Sequence, residues 1–255
     1  MVGTAVITGA ASGIGLNTAR ELLNDGWTVV GLDSAGAALT ELAAGQGDRF
    51  ISMPCDVRDA DQVKRVFSEV GARLEGLNAL ICCAGVLRTG PLAEMSVDAF
   101  DLIFDVNVKG SWLCAKEALP LLKKAAARGE PARIVFLSSV AALRPKISGG
   151  AYAASKAAVS QMTRVLAVEC AGDGVLVNAL APGFIDTPMA VLEDGRKEYE
   201  TDWFQDVYVR HGRIPLRRPG TPDEVAAAAK FFVSPANTYV TGQILAVDGG
   251  MVATF

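Results

Sequence analysis

The stretch TAVITGAASGIG, residues 4–15, decides the fold of this 255-residue chain. Its first five residues, Thr4–Thr8, form an apolar run that favours a strand, and glycines follow at positions 9, 13 and 15. Glycine permits a tight turn and lets a pyrophosphate approach main-chain N–H groups, while the N-terminus of the helix that follows adds partial positive charge. The stretch therefore predicts a strand, a phosphate-binding turn and a helix. We assign the phosphate contacts to Gly9, Ser12, Gly13, Ile14 and Gly15.

The pattern of the first unit is repeated along the chain. Apolar runs predict seven strands: Thr4–Thr8, Trp27–Asp33, Arg49–Asp56, Leu77–Cys83, Ala132–Ser138, Gly174–Leu180 and Gln243–Val247. Amphipathic stretches predict helices between them: Gly13–Asp25, Ala35–Ala44, Asp59–Leu74, Val97–Ala127, Ala151–Ala171 and Pro222–Val233. Several strands are continuously apolar, as strands buried on both faces are. We predict an α/β doubly wound Rossmann fold with a seven-stranded parallel sheet and helices on both faces.

The length and the distribution of residues predict a single domain, residues 1–255. No linker or internal repeat interrupts the chain. The longest interval without a predicted strand, Phe184–Gly220, is aromatic and charged. Long intervals of this kind inside a compact domain are typical of substrate loops or lids. We therefore predict a substrate lid at about residues 184–220.

Composition excludes several classes of protein. Hydrophobic residues make up 51% and charged residues 20% of the chain, which excludes intrinsic disorder. The formal charge of −4 gives no basic face for nucleic acid. No apolar run reaches membrane-spanning length, and the N-terminus has no basic region typical of a signal peptide. Five cysteines without a CxxC spacing and one histidine, His211, predict reduced thiols in a cytoplasmic protein and no metal site.

Asp33 determines the cofactor prediction. It lies at the end of the second predicted strand, where a carboxylate accepts hydrogen bonds from the adenosine ribose hydroxyls and repels a 2′-phosphate. No lysine or arginine stands beside it in sequence or flanks the glycine turn. We therefore predict NAD rather than NADP.

Tyr152 and Lys156 predict the acid/base chemistry. They stand four residues apart on a predicted helix, so both side chains lie on one face. An ammonium near a phenol lowers the phenol pKa, which lets the phenol exchange a proton with a carbinol oxygen. Ser139 follows the fifth predicted strand, at the edge of the sheet where ligands bind, and its hydroxyl is expected to bind the same oxygen.

Together these motifs resemble a known family. They occur in one order along the chain: Thr8-Gly-x-x-x-Gly-x-Gly15, Asp33, Asp56, Asn107, Ser139, Tyr152-x-x-x-Lys156 and Pro182-Gly183. In this order and spacing, from Thr4 to Gly250, the chain resembles the short-chain dehydrogenase/reductase family in its compact, NAD-dependent form. The resemblance implies a homotetramer assembled through the helices that bear Asn107 and Tyr152, and hydride transfer to the B face of the nicotinamide.

The resemblance also implies roles for individual residues. Tyr152 would be the general acid/base, Lys156 would lower its pKa and bind the nicotinamide ribose, and Ser139 would hold the substrate oxygen. The backbone carbonyl of Asn107 would hold a water molecule of the proton relay. Further cofactor contacts are implied for Asp56, Val57, Ala84, Gly85, Pro182, Gly183, Ile185 and Thr187. Among them, Asp56 would contact the adenine ring, and Pro182, Gly183 and Thr187 would contact the nicotinamide.

One position departs from the family pattern. The family typically has Asn-Asn-Ala-Gly after the fourth strand, whereas this chain has Cys82-Cys83-Ala84-Gly85. Thiols are weak hydrogen-bonding groups, so we expect backbone contacts at Ala84 and Gly85 and no side-chain role for Cys82.

These observations predict an NAD-dependent oxidoreductase that interconverts a secondary alcohol (a cyclic dihydrodiol, a polyol or a sugar-like compound) and its ketone. A 3-oxoacyl thioester reductase of the same family is the main alternative. A non-catalytic NAD sensor would be free to lose Tyr152, Lys156 or Ser139, and a nucleotide-sugar isomerase or dehydratase needs a larger C-terminal domain. The loops expected around the substrate carry Leu87, Arg88, Leu143, Arg144, Lys146, Phe184, Met189, Trp203 and Phe204.

Overall fold

The computed structural model describes residues 3–36, 39, 43, 47–74, 76–144 and 149–254. Within these residues seven strands form one parallel sheet in the order β3-β2-β1-β4-β5-β6-β7. The strands are β1 (Thr4–Thr8), β2 (Thr28–Asp33), β3 (Phe50–Pro54), β4 (Ala79–Cys82), β5 (Arg133–Leu137), β6 (Leu176–Pro182) and β7 (Ile244–Val247). The predicted fold class and all seven strands are confirmed. The main shift in boundaries is at β6, which begins and ends two residues later than predicted.

Helices cover both faces of the sheet. Among the described residues they are α1 (Gly13–Asn24), α2 (Ala60–Arg73), α3 (Val97–Phe104), α4 (Ser111–Ala127), α5 (Gly150–Cys170) and α6 (Pro222–Val233). The predicted helix Val97–Ala127 is one continuous helical segment in which a π-helical turn, Asp105–Gly110, joins α3 to α4. Most of the predicted helix Ala35–Ala44 lies outside the described residues.

The core has two layers that alternate along each strand. On β1, Val6 packs into the layer with α2, α4 and α5, whereas its neighbours Ala5 and Ile7 pack into the layer with α1 and α6. Every residue of β4 and β5 is buried. Continuous apolar runs are therefore required, because each strand buries both of its faces.

The predicted lid interval forms no strand of the sheet. Isolated bridges join Ile185 to Gly220 and Val191 to Lys197. Between them runs a short helical turn, Asp202–Phe204, that continues as a second π-helical turn, Gln205–Arg210. Phe204 and Tyr208 of this segment pack with Ile214 in a small apolar cluster that is separate from the two main layers of the core. Among the described residues, no helix is both long enough and apolar enough to span a membrane.

Candidate active site

The site lies where the strand order reverses, at the carboxyl ends of β1 and β4. The turn fits there only because positions 9 and 15 are glycines. Gly9 adopts φ +66°, and a Cβ at this position would lie 2.8 Å from the backbone nitrogen of Ala84. A Cβ at Gly15 would overlap the carbonyl oxygen of Gly9. The Ala84 N–H donates to Thr8 Oγ1 at 3.1 Å, so the turn and the end of β4 are held together.

Beside the turn lies an open groove of about 460 Å³. It is lined by these predicted cofactor-binding residues: Gly9, Ser12, Gly13, Ile14, Gly15, Asp33, Asp56, Val57, Ala84, Gly85 and Thr187. The predicted residues therefore come together on one surface, and the glycine cradle fits the pyrophosphate of a dinucleotide.

Asp33 is oriented by the backbone. The Ala11 N–H donates to its Oδ2 at 3.1 Å, and the Ala35 N–H donates to its Oδ1 at 2.9 Å. Asp33 forms no ion pair with any residue that the structure describes. The carboxylate is thus fixed at the wall of the groove with lone pairs left to accept from a ligand.

Two guanidinium groups also line this groove: Arg58, which the sequence did not indicate, and Arg88, which was expected near the substrate. Arg58 forms a short ion pair with Asp56, 2.7 Å from Nη2 to Oδ2, and this hydrogen bond holds the pKa of Asp56 below its usual range. Arg88 donates to the carbonyl of Leu87 at 2.8 Å. The Asp56 carboxylate therefore lies at the groove but is already bound by Arg58.

Of the two thiols at the end of β4, Cys82 is buried and Cys83 is partly buried. Cys82 donates weakly to the Ser111 carbonyl at 4.0 Å, and burial raises its thiol pKa well above the usual value. Cys83 lines the groove, and burial raises its pKa to about 12. Both thiols are protonated at neutral pH and serve as small packing groups.

Asn107 joins three parts of the site. Its side chain accepts from the Val86 N–H at 2.8 Å and donates to the Val86 carbonyl at 3.0 Å. It also donates to Ser155 Oγ at 3.0 Å. The amide thus ties the loop after β4 to α5. Its backbone carbonyl, which the family resemblance assigns to a water molecule, accepts from Ser111 Oγ at 2.8 Å.

Ser139, Tyr152 and Lys156 meet in a second cavity that adjoins the groove. Ser139 follows β5 and hydrogen-bonds the side chain of Tyr152, which lies on the first turn of α5. Lys156, one turn further along, places its Nζ 5.6 Å from the centre of the Tyr152 ring. The ammonium donates to the Leu137 carbonyl at 2.8 Å. The predicted spacing therefore brings all three side chains together.

Burial shifts the pKa of both titratable groups in this trio. Burial raises the pKa of Tyr152, and the hydrogen bond from Ser139 opposes that rise. Burial lowers the pKa of Lys156 to about 8. Desolvation thus disfavours the charged form of each group.

The start of the lid closes the site across the glycine turn. The Gly183 N–H donates to the Val247 carbonyl at 3.0 Å, which fixes the end of β6. Thr187 Cγ2 lies 3.3 Å from the position of a Cβ at Gly13, so Thr187 reaches over the turn. Pro182, Gly183, Ile185 and Thr187 all line the cavity next to Tyr152.

That cavity, of about 210 Å³, adjoins the groove through Ile14, Cys83 and Gly85. Its walls include Leu87, Thr89, Val140, Arg144, Phe184, Met189, Glu198, Tyr208 and Met251. Of the residues expected around the substrate, Leu87, Arg144, Phe184 and Met189 line it. Arg88 lines the groove instead, Leu143, Trp203 and Phe204 line neither, and Lys146 lies outside the described residues. Sequence reading missed Glu198, Tyr208 and Met251.

Comparison with known proteins places the chain among reductases and dehydrogenases. The family described as enoyl-(acyl carrier protein) reductase matches residues 9–252. A 3-oxoacyl-(acyl-carrier-protein) reductase of Thermotoga maritima is 36% identical over 97% of this chain and 96% of that protein. A cis-4-hydroxycyclohexanecarboxylate dehydrogenase of Sinomonas cyclohexanicum is 36% identical over 98% of this chain and 96% of that protein. A galactitol 2-dehydrogenase of Cereibacter sphaeroides is 37% identical over 96% of this chain and 93% of that protein.

Solved structures agree in fold and differ in cofactor. A 3-ketoacyl-(acyl-carrier-protein) reductase from Brucella melitensis, complexed with NADH, superposes with a TM-score of 0.87 at 29% identity, covering 98% of each chain. ElxO with NADP bound superposes with a TM-score of 0.88 at 26% identity, covering 100% of each chain.

Proposed function

The chain belongs to the short-chain dehydrogenase/reductase family of oxidoreductases, and from that premise we propose that it interconverts a secondary alcohol and its ketone with NAD(H). The observation that carries this proposal is the contact of Tyr152 with Ser139 beside the buried Lys156, at the junction of groove and cavity. A polar trio at the bottom of a largely apolar cavity suits proton exchange with one carbinol oxygen.

In the oxidative direction the Ser139 hydroxyl holds the substrate oxygen and Tyr152, as phenolate, takes its proton. In the reductive direction the neutral phenol returns the proton. When bound, NAD supplies the redox chemistry by accepting the hydride from the carbinol carbon. Because burial raises the pKa of Tyr152, the neutral form predominates at pH 7, and oxidation should accelerate as pH rises.

Lys156 and Asn107 support this proton transfer in the proposed mechanism. Lys156 Nζ lies 3.4 Å from where a Cβ at Gly85 would lie, which places the ammonium at the wall of the groove, within reach of a ribose. The Asn107 side chain hydrogen-bonds both Val86 and Ser155, and these bonds hold the loop after β4 against α5. We keep the backbone carbonyl of Asn107 as the proposed water site.

We propose NAD as the cofactor. Asp33 is fixed by two backbone N–H groups at the wall of the groove, where its charge opposes a 2′-phosphate. Arg58, which lines the groove and could attract such a phosphate, is engaged by Asp56. Pro182, Gly183, Ile185 and Thr187 are the proposed nicotinamide contacts, and Asp56 with Val57 the proposed adenine contacts.

The proposed substrate is a cyclic dihydrodiol, a polyol or a sugar-like alcohol. Relatives named galactitol 2-dehydrogenase and cis-4-hydroxycyclohexanecarboxylate dehydrogenase support a compact oxygenated alcohol. The second candidate is reduction of a 3-oxoacyl thioester, which the name of the Thermotoga relative supports. The proposed preference for NAD, which lacks the 2′-phosphate of NADP, favours the first candidate.

We further propose a single domain over residues 1–255, with residues 184–220 as substrate lid, that assembles as a homotetramer in the cytoplasm. Four exposed apolar side chains on α3, α4 and α5 support the assembly: Phe100, Trp112, Val165 and Val168. The five cysteines form no disulfide, which suits a reducing compartment.

A screen tests the proposed activity. Purified protein is incubated with NAD and a panel of secondary alcohols, polyols, dihydrodiols and cyclic hydroxy acids, while NADH absorbance is followed. We expect turnover of at least one oxygenated alcohol that needs NAD and survives EDTA. Turnover confined to 3-oxoacyl thioesters with NADPH would instead support the second candidate, and NADH binding without turnover of any panel member would support a sensor.

A further inference from the structure

Tyr208 is a polar side chain that the mechanism does not use. It lines the cavity next to Tyr152, yet the whole residue is only 6% exposed. Its ring is fixed by three aromatic neighbours, with ring centres 4.6 Å from Phe184, 4.9 Å from Phe204 and 5.3 Å from Trp203. The ring therefore has one position, and the phenol is preorganised at the cavity wall.

The Tyr208 hydroxyl has no hydrogen-bond partner among the residues that the structure describes. The hydroxyl is therefore available to hydrogen-bond a group bound in the cavity. Such a group at a cavity wall is typical of a site completed by its ligand. Burial also raises the pKa of Tyr208, so the phenol stays a neutral donor at physiological pH.

The backbone around Tyr208 has an unusual form that is shared with the active site. Residues Gln205–Arg210 form a π-helical turn, as do Asp105–Gly110, which carry Asn107. π-helical turns inside helices are found frequently at functional sites. The turn is therefore a second, independent indication that Tyr208 serves the ligand.

The charge around Tyr208 defines what kind of group it binds. Glu198 lines the same cavity and its charge raises the pKa of Tyr208, whereas Arg213, whose charge lowers that pKa, does not line the cavity. A substrate carboxylate at this point would be repelled by Glu198, whereas a hydroxyl accepts from Tyr208 and donates towards Glu198. The only guanidinium that lines this cavity among the described residues, Arg144, is exposed.

We propose that Tyr208 determines substrate specificity by binding a second hydroxyl group of the substrate, apart from the reacting oxygen held by Ser139 and Tyr152. The substrate class is then a diol or polyol rather than an isolated alcohol or a hydroxy acid. This inference rests on the proposed function, since it names the substrate of the same site.

The test compares two substrates that differ by one hydroxyl, cis-1,2-cyclohexanediol and cyclohexanol, with NAD. Wild-type protein should have the higher kcat/KM for the diol. Tyr208→Phe keeps the ring and removes the hydroxyl, so it should lower kcat/KM for the diol by about 2- to 12-fold, mainly through KM, and change that for cyclohexanol by less than about 2-fold. The matched control is Tyr239→Phe, because Tyr239 is 96% exposed and outside the cavity.

Several outcomes would overturn the inference. They are equal effects of Tyr208→Phe on both substrates, no effect on the diol, and no turnover of the diol by wild-type protein. A wild-type preference for cis-4-hydroxycyclohexanecarboxylate would also overturn it. A second variant, Glu198→Gln, should lower the preference for the diol over that hydroxy acid. Failure of the proposed function gives a different result, because then no secondary alcohol in the panel is oxidised.

Discussion

At the scale of single residues, the orientation of Asp33 is the basis of the proposed NAD preference. We expect wild-type protein to have a higher kcat/KM with NAD than with NADP. Asp33→Asn keeps an acceptor for the backbone N–H groups and removes the charge, so it should raise kcat/KM for NADP and lower that for NAD. The ratio of the two constants is the measurement, with Asp48→Asn at an exposed position as control. A wild-type preference for NADP would show that Arg58 or Arg88 dominates the groove.

Lys156 gives a second prediction at this scale, on stability. Its pKa is about 8 in the folded protein and 10.5 as an unperturbed group, so the folded state carries the full cost of its charge below pH 8. That cost is relieved as pH rises from about 8 to 10.5, because over this range the unfolded chain binds the proton and the folded chain does not. Lys156→Met removes this desolvation cost and also removes the hydrogen bond from the ammonium to the Leu137 carbonyl.

We therefore expect Lys156→Met to stabilise the cofactor-free protein by about 2–3 kcal/mol at pH 7 and by less at pH 10, while turnover is lost. Thermal unfolding at the two pH values measures this, and Lys124→Met at an exposed position is the control. If Lys156→Met instead destabilises the protein at pH 7, the hydrogen bonds and charges around the ammonium outweigh its desolvation cost.

The sequence predicted which residues meet in the site but not their electrostatics. The helical spacing of Tyr152 and Lys156 and the position of Ser139 after β5 follow from local geometry. The directions of the Tyr152 and Lys156 pKa shifts depend on burial by distant segments, which spacing does not reveal. Tyr208 was missed for the same reason, because an aromatic residue in a long interval between strands carries no signal of its own.

At the scale of elements, β1, the glycine turn and α1 form the unit that the first stretch of sequence predicted. Gly15→Ala places a methyl group against the Gly9 carbonyl and beside Cys83, with its Cβ 3.2 Å from that of Cys83. We expect the variant to lose at least about 1–3 kcal/mol of unfolding free energy and to bind NADH more weakly, because the turn must shift. Denaturant unfolding and NADH fluorescence titration measure the two effects.

The control for this variant is Gly172→Ala. Gly172 has no neighbour within 4 Å of an added Cβ and no positive φ. The Gly172→Ala variant should bind NADH as the wild-type protein does, and its unfolding free energy should equal or slightly exceed that of the wild-type protein. Unchanged NADH affinity in Gly15→Ala would contradict the assignment of this turn to the pyrophosphate.

Element boundaries show where periodicity is informative and where it is not. The capping box Thr221–Glu224 fixes the start of α6 at Pro222, as predicted. The π-helical turn at Asp105–Gly110 was not predicted, because a single inserted residue in a helix does not disturb its amphipathic pattern enough to detect. That turn nevertheless carries Asn107, whose hydrogen bonds to Val86 and Ser155 organise the site.

At the scale of the whole molecule, the exposed apolar face of α5 bears on assembly. Val168 is 81% exposed. If this face forms the proposed tetramer, a charge there would be buried without a partner. We expect wild-type protein to have about four times the 26.6 kDa mass of one chain by light scattering after gel filtration, and Val168→Glu to shift the population to smaller species.

Leu216→Glu is the control, since Leu216 is exposed on the lid. It should keep the wild-type mass. A monomeric wild-type protein, or a tetramer unaffected by Val168→Glu, would contradict an interface on this helix. The sequence alone predicted assembly only through the family resemblance, because which apolar residues are left exposed depends on how the helices pack.

The central claim is that Tyr152 exchanges the proton with the substrate oxygen, and one comparison tests it most directly. In Tyr152→Phe the ring remains in place and the hydroxyl is lost, so NADH affinity should stay within about 2-fold while kcat for an alcohol oxidised by wild-type protein falls by ~10²–10⁴. The measurement is kcat beside the NADH dissociation constant for both proteins. Turnover near the wild-type rate in Tyr152→Phe would contradict the account.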